Sequence, residues 1–367
     1  MRYRVTCLSP TLVGDGQKLA PIDYMVWKDH VNVLDQRHIF KLLSKGPRLE
    51  GYLAQLKKAE KLDFASWGGF AQNFAGRRIP FEHVSTVPVW EKTHPEHLFI
   101  PTFATSPGGP YLPATALKGA LRTGAVFDRW SEATMRHVAA RVEDGRMPRD
   151  LAAKAEESVL GGPGGNRMKR FMVADSGNIG YAGMKVYLVR VATLVARGGG
   201  RFELGWKSAR GSTDSRRIDE STPLFTEMAT PGTSFEGQWR ERAAGDREAL
   251  FEAANKYAAE QIARHKKYAG LAGLAQLAAF LDALEGRLKE VRGKGNGCLL
   301  SIGWGGGMLS KTGYLNSEDE TYRGILRQTP FYSRAIQSGL PLPKTRRLIF
   351  QDGQPATLPG WVQMEVG

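Results

Sequence analysis

Leu271, Leu274, Leu277, Leu281, Leu284 and Leu288 recur at spacings of three and four, which predicts a helix over 271–291 with its leucine face in a core and its charged face in water. A second helical period covers 247–265. In Thr115 to Arg129, Leu117, Ala120, Leu121 and Ala125 make one apolar face, and Thr115 is the expected N-cap. Helical patterning returns over 131–158 and stops at Gly161-Gly162-Pro163-Gly164-Gly165. Residues 2–8 read as a strand that ends at Ser9-Pro10, and further strands are expected at 169–175, 184–195, 233–240 and 297–302. Tyr24–Trp27 and Val31–Leu34 flank Lys28-Asp29-His30 as a hairpin. Asp35 is placed to cap the next helix, and a short amphipathic helix follows over 49–62. No clear period runs through 63–112, and Arg197 to Arg217 reads as a loop.

Long helices between scattered strands predict an α+β class. The order strand, helix, strand, strand, helix, strand (2–8, 115–129, 169–175, 233–240, 271–291, 297–302) is that of a ferredoxin-like, or RRM-like, core. The remaining segments become helical and hairpin insertions at 20–110, 131–165 and 176–230, with a basic C-terminal extension at 313–367. The 367 residues allow one large domain or two modest ones; the element order favours a single elaborated domain over 1–367.

Charge changes the picture more than size does. Lys plus Arg number 51 against 37 acidic residues, a net charge of +14. The surplus is clustered: 161–217 holds eleven Lys/Arg and three acids, and Thr321–Phe350 holds six Lys/Arg and none. Clustering on this scale favours a polyanionic partner over a merely solubilising surface. On the helix from Thr115, Lys118, Arg122 and Arg129 form one stripe. Either it is a solvated face, or it holds a phosphate together with the free N–H groups of the helix start.

Most catalytic classes lack their residues. The two cysteines, Cys7 and Cys298, form no CxxC pair, and both are expected to be buried and inert. His94 and His97 flank Pro95-Glu96, which excludes a helical zinc motif, and no metal site is expected. GWGGGMLSKT (303–312) nearly fits a nucleotide-binding loop, but Ser310 stands where the last glycine belongs. What remains is a glycine loop passing close to a nucleic-acid backbone, with Ser310, Lys311 and Thr312 as phosphate ligands, or else a plain tight turn. Trp206 and Trp304 lie in basic or glycine-rich segments and either stack on bases or pack locally. A ribonuclease would draw on His30 or His38. No apolar leader or membrane-length segment is visible, so a cytoplasmic location is expected, with no membrane partner.

Six segments, in order along the whole chain, carry a resemblance: CLSPTLVGDGQKLAPIDY (7–24), YLPATALKGALRTG (111–124), KRFMVADS (169–176), MATPGTSFEG (228–237), SIGWGGGMLSKT (301–312) and LPKTRRLIF…GWVQM (342–364). The set resembles the RAMP superfamily of CRISPR effector subunits, and within it the fifth-subunit family of type III-A (Csm) complexes. Ala114 replaces a usual glycine, and Thr115-Ala116 a usual pair of serines. No acidic residue matches the target-cleaving aspartate of the backbone RAMP subunit.

The resemblance implies a non-catalytic subunit that binds CRISPR RNA by its backbone, caps the filament of backbone RAMP subunits at the 3′ part of that RNA, and supports its maturation. The implied partners are the CRISPR RNA, the other Csm subunits and host nucleases, with no cofactor. Thr115, Lys118, Arg122, Arg129, Lys169, Arg170, Gly305, Gly306, Gly307, Ser310 and Lys311 are the expected RNA contacts. A CRISPR-RNA-processing endoribonuclease is the alternative within the same superfamily.

Overall fold

The computed structural model describes the chain except residues 59–73, 143–147, 163, 198–199, 209–214, 244, 329 and 338. Its class is α+β. The strand Arg2–Cys7 buries Tyr3, Val5 and Cys7 on one face and leaves Arg2 and Arg4 exposed, the period-2 pattern of a sheet with one face in the core. It lies in a five-stranded antiparallel sheet of order Gly297–Ser301, Trp361–Val366, Arg2–Cys7, Ser234–Glu241, Phe171–Val173.

One face of this sheet packs on the helices Ala114–Arg129 and Asp246–Ala272 through Val5, Phe235, Trp239, Leu121 and Phe251. The two helices approach closely at Gly124, where a Cβ would lie 2.9 Å from the Ala254 Cα. From the opposite face, Leu299 and Trp361 meet the helix Ala275–Lys294 through its buried Leu277, Leu281, Leu284 and Leu288. The strands Gly297–Ser301 and Trp361–Val366 are therefore covered on both sides, and their residues are almost continuously buried.

Five expectations change. Trp361–Val366, read as part of a basic extension, is an internal strand between Arg2–Cys7 and Gly297–Ser301, which the expected core would have made neighbours. The second helix on the same face as Ala114–Arg129 is Asp246–Ala272; the leucine-striped helix lies on the other face. Leu271 also leaves the stripe, since it belongs to the preceding helix, which ends at Gly273 in the left-handed conformation, and it is exposed. The strand expected at 169–175 is a 3-10 turn, Arg167–Arg170, followed by the short strand Phe171–Val173. The helix expected at 131–158 is two helices, Glu132–Ala140 and Leu151–Leu160.

A second sheet forms around the long strand Met184–Arg197. Leu224–Ala229 and Arg201–Trp206 pair with its two halves, Thr345–Gln351 pairs with its middle, and Gln354–Thr357 extends the far side. The segment read as a loop from Arg197 thus begins as a hairpin, and Trp206 is buried against Phe350 with ring centroids 5.9 Å apart. The N-terminal hairpin is present as Tyr24–Trp27 and His30–Leu34, joined by Ala75–Pro80. Asp35 Oδ1 accepts from the His38 N–H at 3.0 Å and caps the helix Gln36–Leu43. The helix expected over 49–62 is described as Arg48–Lys58; the rest of that span lies outside the described residues. The small sheet is tied to the second one by an ion pair from half-buried Arg77 to buried Glu227, Nη2 to Oε2 at 2.9 Å. Burial pushes the Glu227 carboxyl above its ordinary range even with Arg77 beside it.

Both cysteines are buried and unpaired with each other. Burial raises the Cys7 thiol to about 12 and pushes Cys298 up as well, so neither is a thiolate at neutral pH. No helix among the described residues is long and apolar enough to cross a membrane.

Candidate nucleic-acid interface

The glycine loop leaves the strand Gly297–Ser301 and runs between two other segments of the chain. Trp304 N–H donates to the Leu12 carbonyl at 2.8 Å, and Ile302 N–H donates to the Gly360 carbonyl at 2.8 Å. Ser9 Oγ accepts from the Trp361 N–H at 3.0 Å. Three motifs far apart in sequence, around Ser9–Leu12, Ile302–Gly307 and Pro359–Trp361, are thereby knitted into one structure. The glycines serve this packing first. A Cβ at Gly303 would lie 2.1 Å from the Leu12 carbonyl oxygen, one at Gly305 2.4 Å from Pro359 Cγ, and one at Gly306 2.3 Å from Ser310 Oγ. Only Gly307, at φ 68°, faces open space. The close neighbour inferred from the glycine run is, at three positions, the protein itself.

The same loop borders a cavity of about 1020 Å³. Gly305, Gly306, Gly307 and Lys311 line it from one side, Thr345, Arg346 and Arg347 from another. Arg149 and Lys311 add two more cations, and none of the described residues lining the cavity is Asp or Glu. Among the described residues, none of Arg149, Lys311, Arg346 or Arg347 forms an ion pair. Arg347 lies over the Trp304 ring, with its guanidinium carbon 4.9 Å from the ring centroid.

Arg346 is held more firmly. Its Nε donates to His265 Nδ1 at 2.9 Å, its Nη1 to the Pro343 and Thr345 carbonyls, and its guanidinium sits 4.5 Å from the Tyr268 ring centroid. Burial lowers Arg346 to about 10, so it remains a cation at neutral pH without a carboxylate to answer it. Burial, with the adjacent Arg346 charge, holds His265 well below the ordinary imidazole range, and the ring is a neutral acceptor. The unfolded chain takes up a proton near pH 6.5 that the folded chain refuses, so stability falls as pH drops below 6.5. The thermal midpoint should fall by about 2 °C per pH unit between 6.5 and 5 on this account. His265→Gln keeps an acceptor for Arg346 but cannot titrate, so differential scanning fluorimetry should show a flatter profile for that variant.

The other expected contact residues are spread between this cavity and the start of the helix Ala114–Arg129. There the N-cap is Pro113, not Thr115, which is exposed in the first turn. The Asp175 carboxylate accepts from the Ala114 N–H at 2.7 Å and so occupies the position considered for a phosphate. Lys118 Nζ donates to the Phe171 carbonyl at 3.0 Å, Arg122 pairs with Glu156, and Arg170 pairs with Asp246 at 2.9 Å. Arg129 is half-buried, and Lys169 is exposed on the 3-10 turn. Ser310 is buried, with its hydroxyl given to the Gly307 carbonyl at 3.1 Å, while Lys311 is exposed.

Much of the positive charge assigned to 161–217 is also locally compensated: Arg197 and Arg216 pair with Glu203, and Arg217 with Asp219. Lys311, Arg346 and Arg347, on the cavity walls, have no such partner among the described residues. Arg346 and Arg347 were part of an acid-free run in the sequence, but nothing in the sequence placed them opposite the glycine loop. His30 sits beside Asp29 at 2.8 Å, and His38 packs edge-on to Phe74, so each has a local structural partner. Among the described residues, no three His, Cys, Asp or Glu side chains gather as a metal site.

A family model described as the RAMP superfamily matches residues 4–309, more than four-fifths of the chain. The chain belongs to the RAMP superfamily. No curated protein matches the sequence. Two solved structures resemble this RAMP fold over its whole length. One is a chain from a cryo-EM structure of a Csm–crRNA–target RNA ternary complex of a type III-A CRISPR–Cas system, at 22% identity and a TM-score of 0.66, with 100% of both chains covered. The other is the crystal structure of T. onnurineus Csm5, at 18% identity and a TM-score of 0.63, with 98% of this chain and 99% of that one covered. The likeness reaches the C-terminal strand and the Thr345–Gln351 segment, which the family match leaves out.

Proposed function

We propose that this RAMP protein is a non-catalytic, RNA-binding subunit of a type III-A CRISPR ribonucleoprotein. In this reading it caps the filament of backbone subunits at the 3′ part of the CRISPR RNA and supports that RNA's maturation. The observation that carries the reading is the end-to-end likeness to a Csm5 structure, with 98% and 99% of the two chains aligned. A backbone subunit or a processing enzyme that shared only the RAMP core would not be expected to match from one end to the other. The acid-free, cationic cavity at the glycine loop supplies the chemistry, since unpaired guanidinium and ammonium groups suit phosphate.

The whole chain acts as one elaborated domain, and its main sheet is a ferredoxin-like core into which Trp361–Val366 has been inserted. Its partners are the CRISPR RNA, the other Csm subunits, above all the backbone RAMP subunit, and host nucleases that trim the RNA. Phosphate and shape carry the recognition, because a guide sequence varies. The test is the complex itself, assembled with and without this chain and read by the 3′ ends of the RNA it carries.

A further inference from the structure

The cavity beside the glycine loop has more positive charge and more donors than its own walls use. Arg347 Nε and Trp130 Nε1 are buried with no acceptor among the described residues, and no carboxylate lines the space. Arg346 is already spent on His265, Pro343 and Thr345, so it contributes field rather than a ligand bond. Arg347 is different: its guanidinium lies over the Trp304 ring, which helps to hold it in place before any ligand arrives. Trp130, Trp304, Tyr322 and Tyr332 give the same cavity aromatic walls. Its volume of about 1020 Å³ is at the upper end of ligand-sized sites.

We propose that this cavity takes one unstacked nucleotide of the bound RNA, with its phosphate on Arg347 and Lys311 and its base among the aromatic walls. The inference rests on the RNA-binding reading above and sharpens it to one unit of the chain. A cationic surface alone would follow the RNA backbone from outside; cations combined with aromatic walls suit a phosphate and a base together. An apolar ligand would leave the guanidinium unanswered, and a small inorganic anion would leave the aromatic walls unused.

The test uses the full-length protein and a short single-stranded RNA carrying 4-thiouridine, irradiated and mapped by peptide mass spectrometry. Cross-links should fall in the peptides that hold Trp304 or Tyr332. Arg347→Gln should weaken binding of the same RNA about tenfold, the loss of one charge-assisted contact, with partial recovery in Arg347→Lys. The cross-link map needs no variant and decides the matter even if Arg347→Gln folds poorly. Cross-links confined to other surfaces, with Arg347→Gln binding normally, would overturn the cavity assignment and leave RNA binding intact. A cross-link from free 4-thio-UMP but none from RNA would assign the cavity to a free nucleotide and overturn the RNA assignment. No RNA binding by the unaltered protein would remove the functional reading on which the inference stands.

Discussion

Deleting residues 359–367 should leave no folded protein. Trp361–Val366 pairs with Arg2–Cys7 on one side and with Gly297–Ser301 on the other, so its loss opens the main sheet at an internal position. Trp361, Val362, Met364 and Val366 are all at most 2% exposed. At roughly 2 kcal/mol for each buried side chain, their removal costs about 8 kcal/mol before any ladder hydrogen bond is counted. That is comparable to the whole stability of a typical domain, about 5–15 kcal/mol. The truncated chain should be insoluble on expression, or should lack near-ultraviolet circular dichroism and a cooperative thermal transition. A soluble truncated protein melting within a few degrees of the full chain would show that the strand is an appendage.

Gly303→Ala is expected to be the most damaging single methyl group in the glycine loop. Gly303 has φ 70°, and the added Cβ would lie 2.1 Å from the Leu12 carbonyl oxygen, a backbone atom that is itself held by the Trp304 N–H. Left-handed strain alone costs about 1–3 kcal/mol, and the backbone collision adds to it, so a loss above about 3 kcal/mol is expected. For a chain of this size that lowers the midpoint by at least about 4 °C. Gly307→Ala is the comparison. Its φ of 68° with ψ of −154° is a conformation essentially reserved for glycine, but no atom lies within 4 Å of the added Cβ, so only the backbone cost of about 1–3 kcal/mol remains, without a collision. Calorimetry on the two variants separates packing from strain. Equal losses would mean that contact with Leu12 does not constrain the loop.

What the sequence made visible was largely local. The hairpin Tyr24–Leu34, the Asp35 cap and the leucine face at Leu277, Leu281, Leu284 and Leu288 each depend on residues within a few turns of one another. Non-local decisions were invisible. Thr115 has the chemistry of an N-cap, yet Asp175, sixty positions later, supplies the carboxylate at that helix start. The stripe of Lys118 and Arg122 looked free because Phe171 and Glu156 are distant in sequence. Trp361–Val366 is a short run after Pro359-Gly360, and only its two partner strands, one at the other end of the chain and one tens of residues away, make it an internal strand.

The cavity was half legible for the same reason. The acid-free stretch and the glycine loop were both apparent, and each pointed to phosphate. Their convergence depends on the strand Thr345–Gln351 pairing antiparallel with Met184–Arg197, a pairing that no spacing rule announces. The ordered set of motifs carried more than any single one, because motifs at Ser9–Leu12, Ile302–Gly307 and Pro359–Trp361 meet in space.

The central claim is that this chain holds the 3′ part of a CRISPR RNA within a type III-A complex. It is tested most directly by co-expressing the complex with and without this subunit and sequencing the 3′ ends of the RNA that copurifies. The account predicts short RNAs with discrete, trimmed 3′ ends in the complete complex, and longer or ragged 3′ ends when this chain is omitted. Identical 3′ ends in the two preparations, with this chain absent from the purified particle, would contradict it.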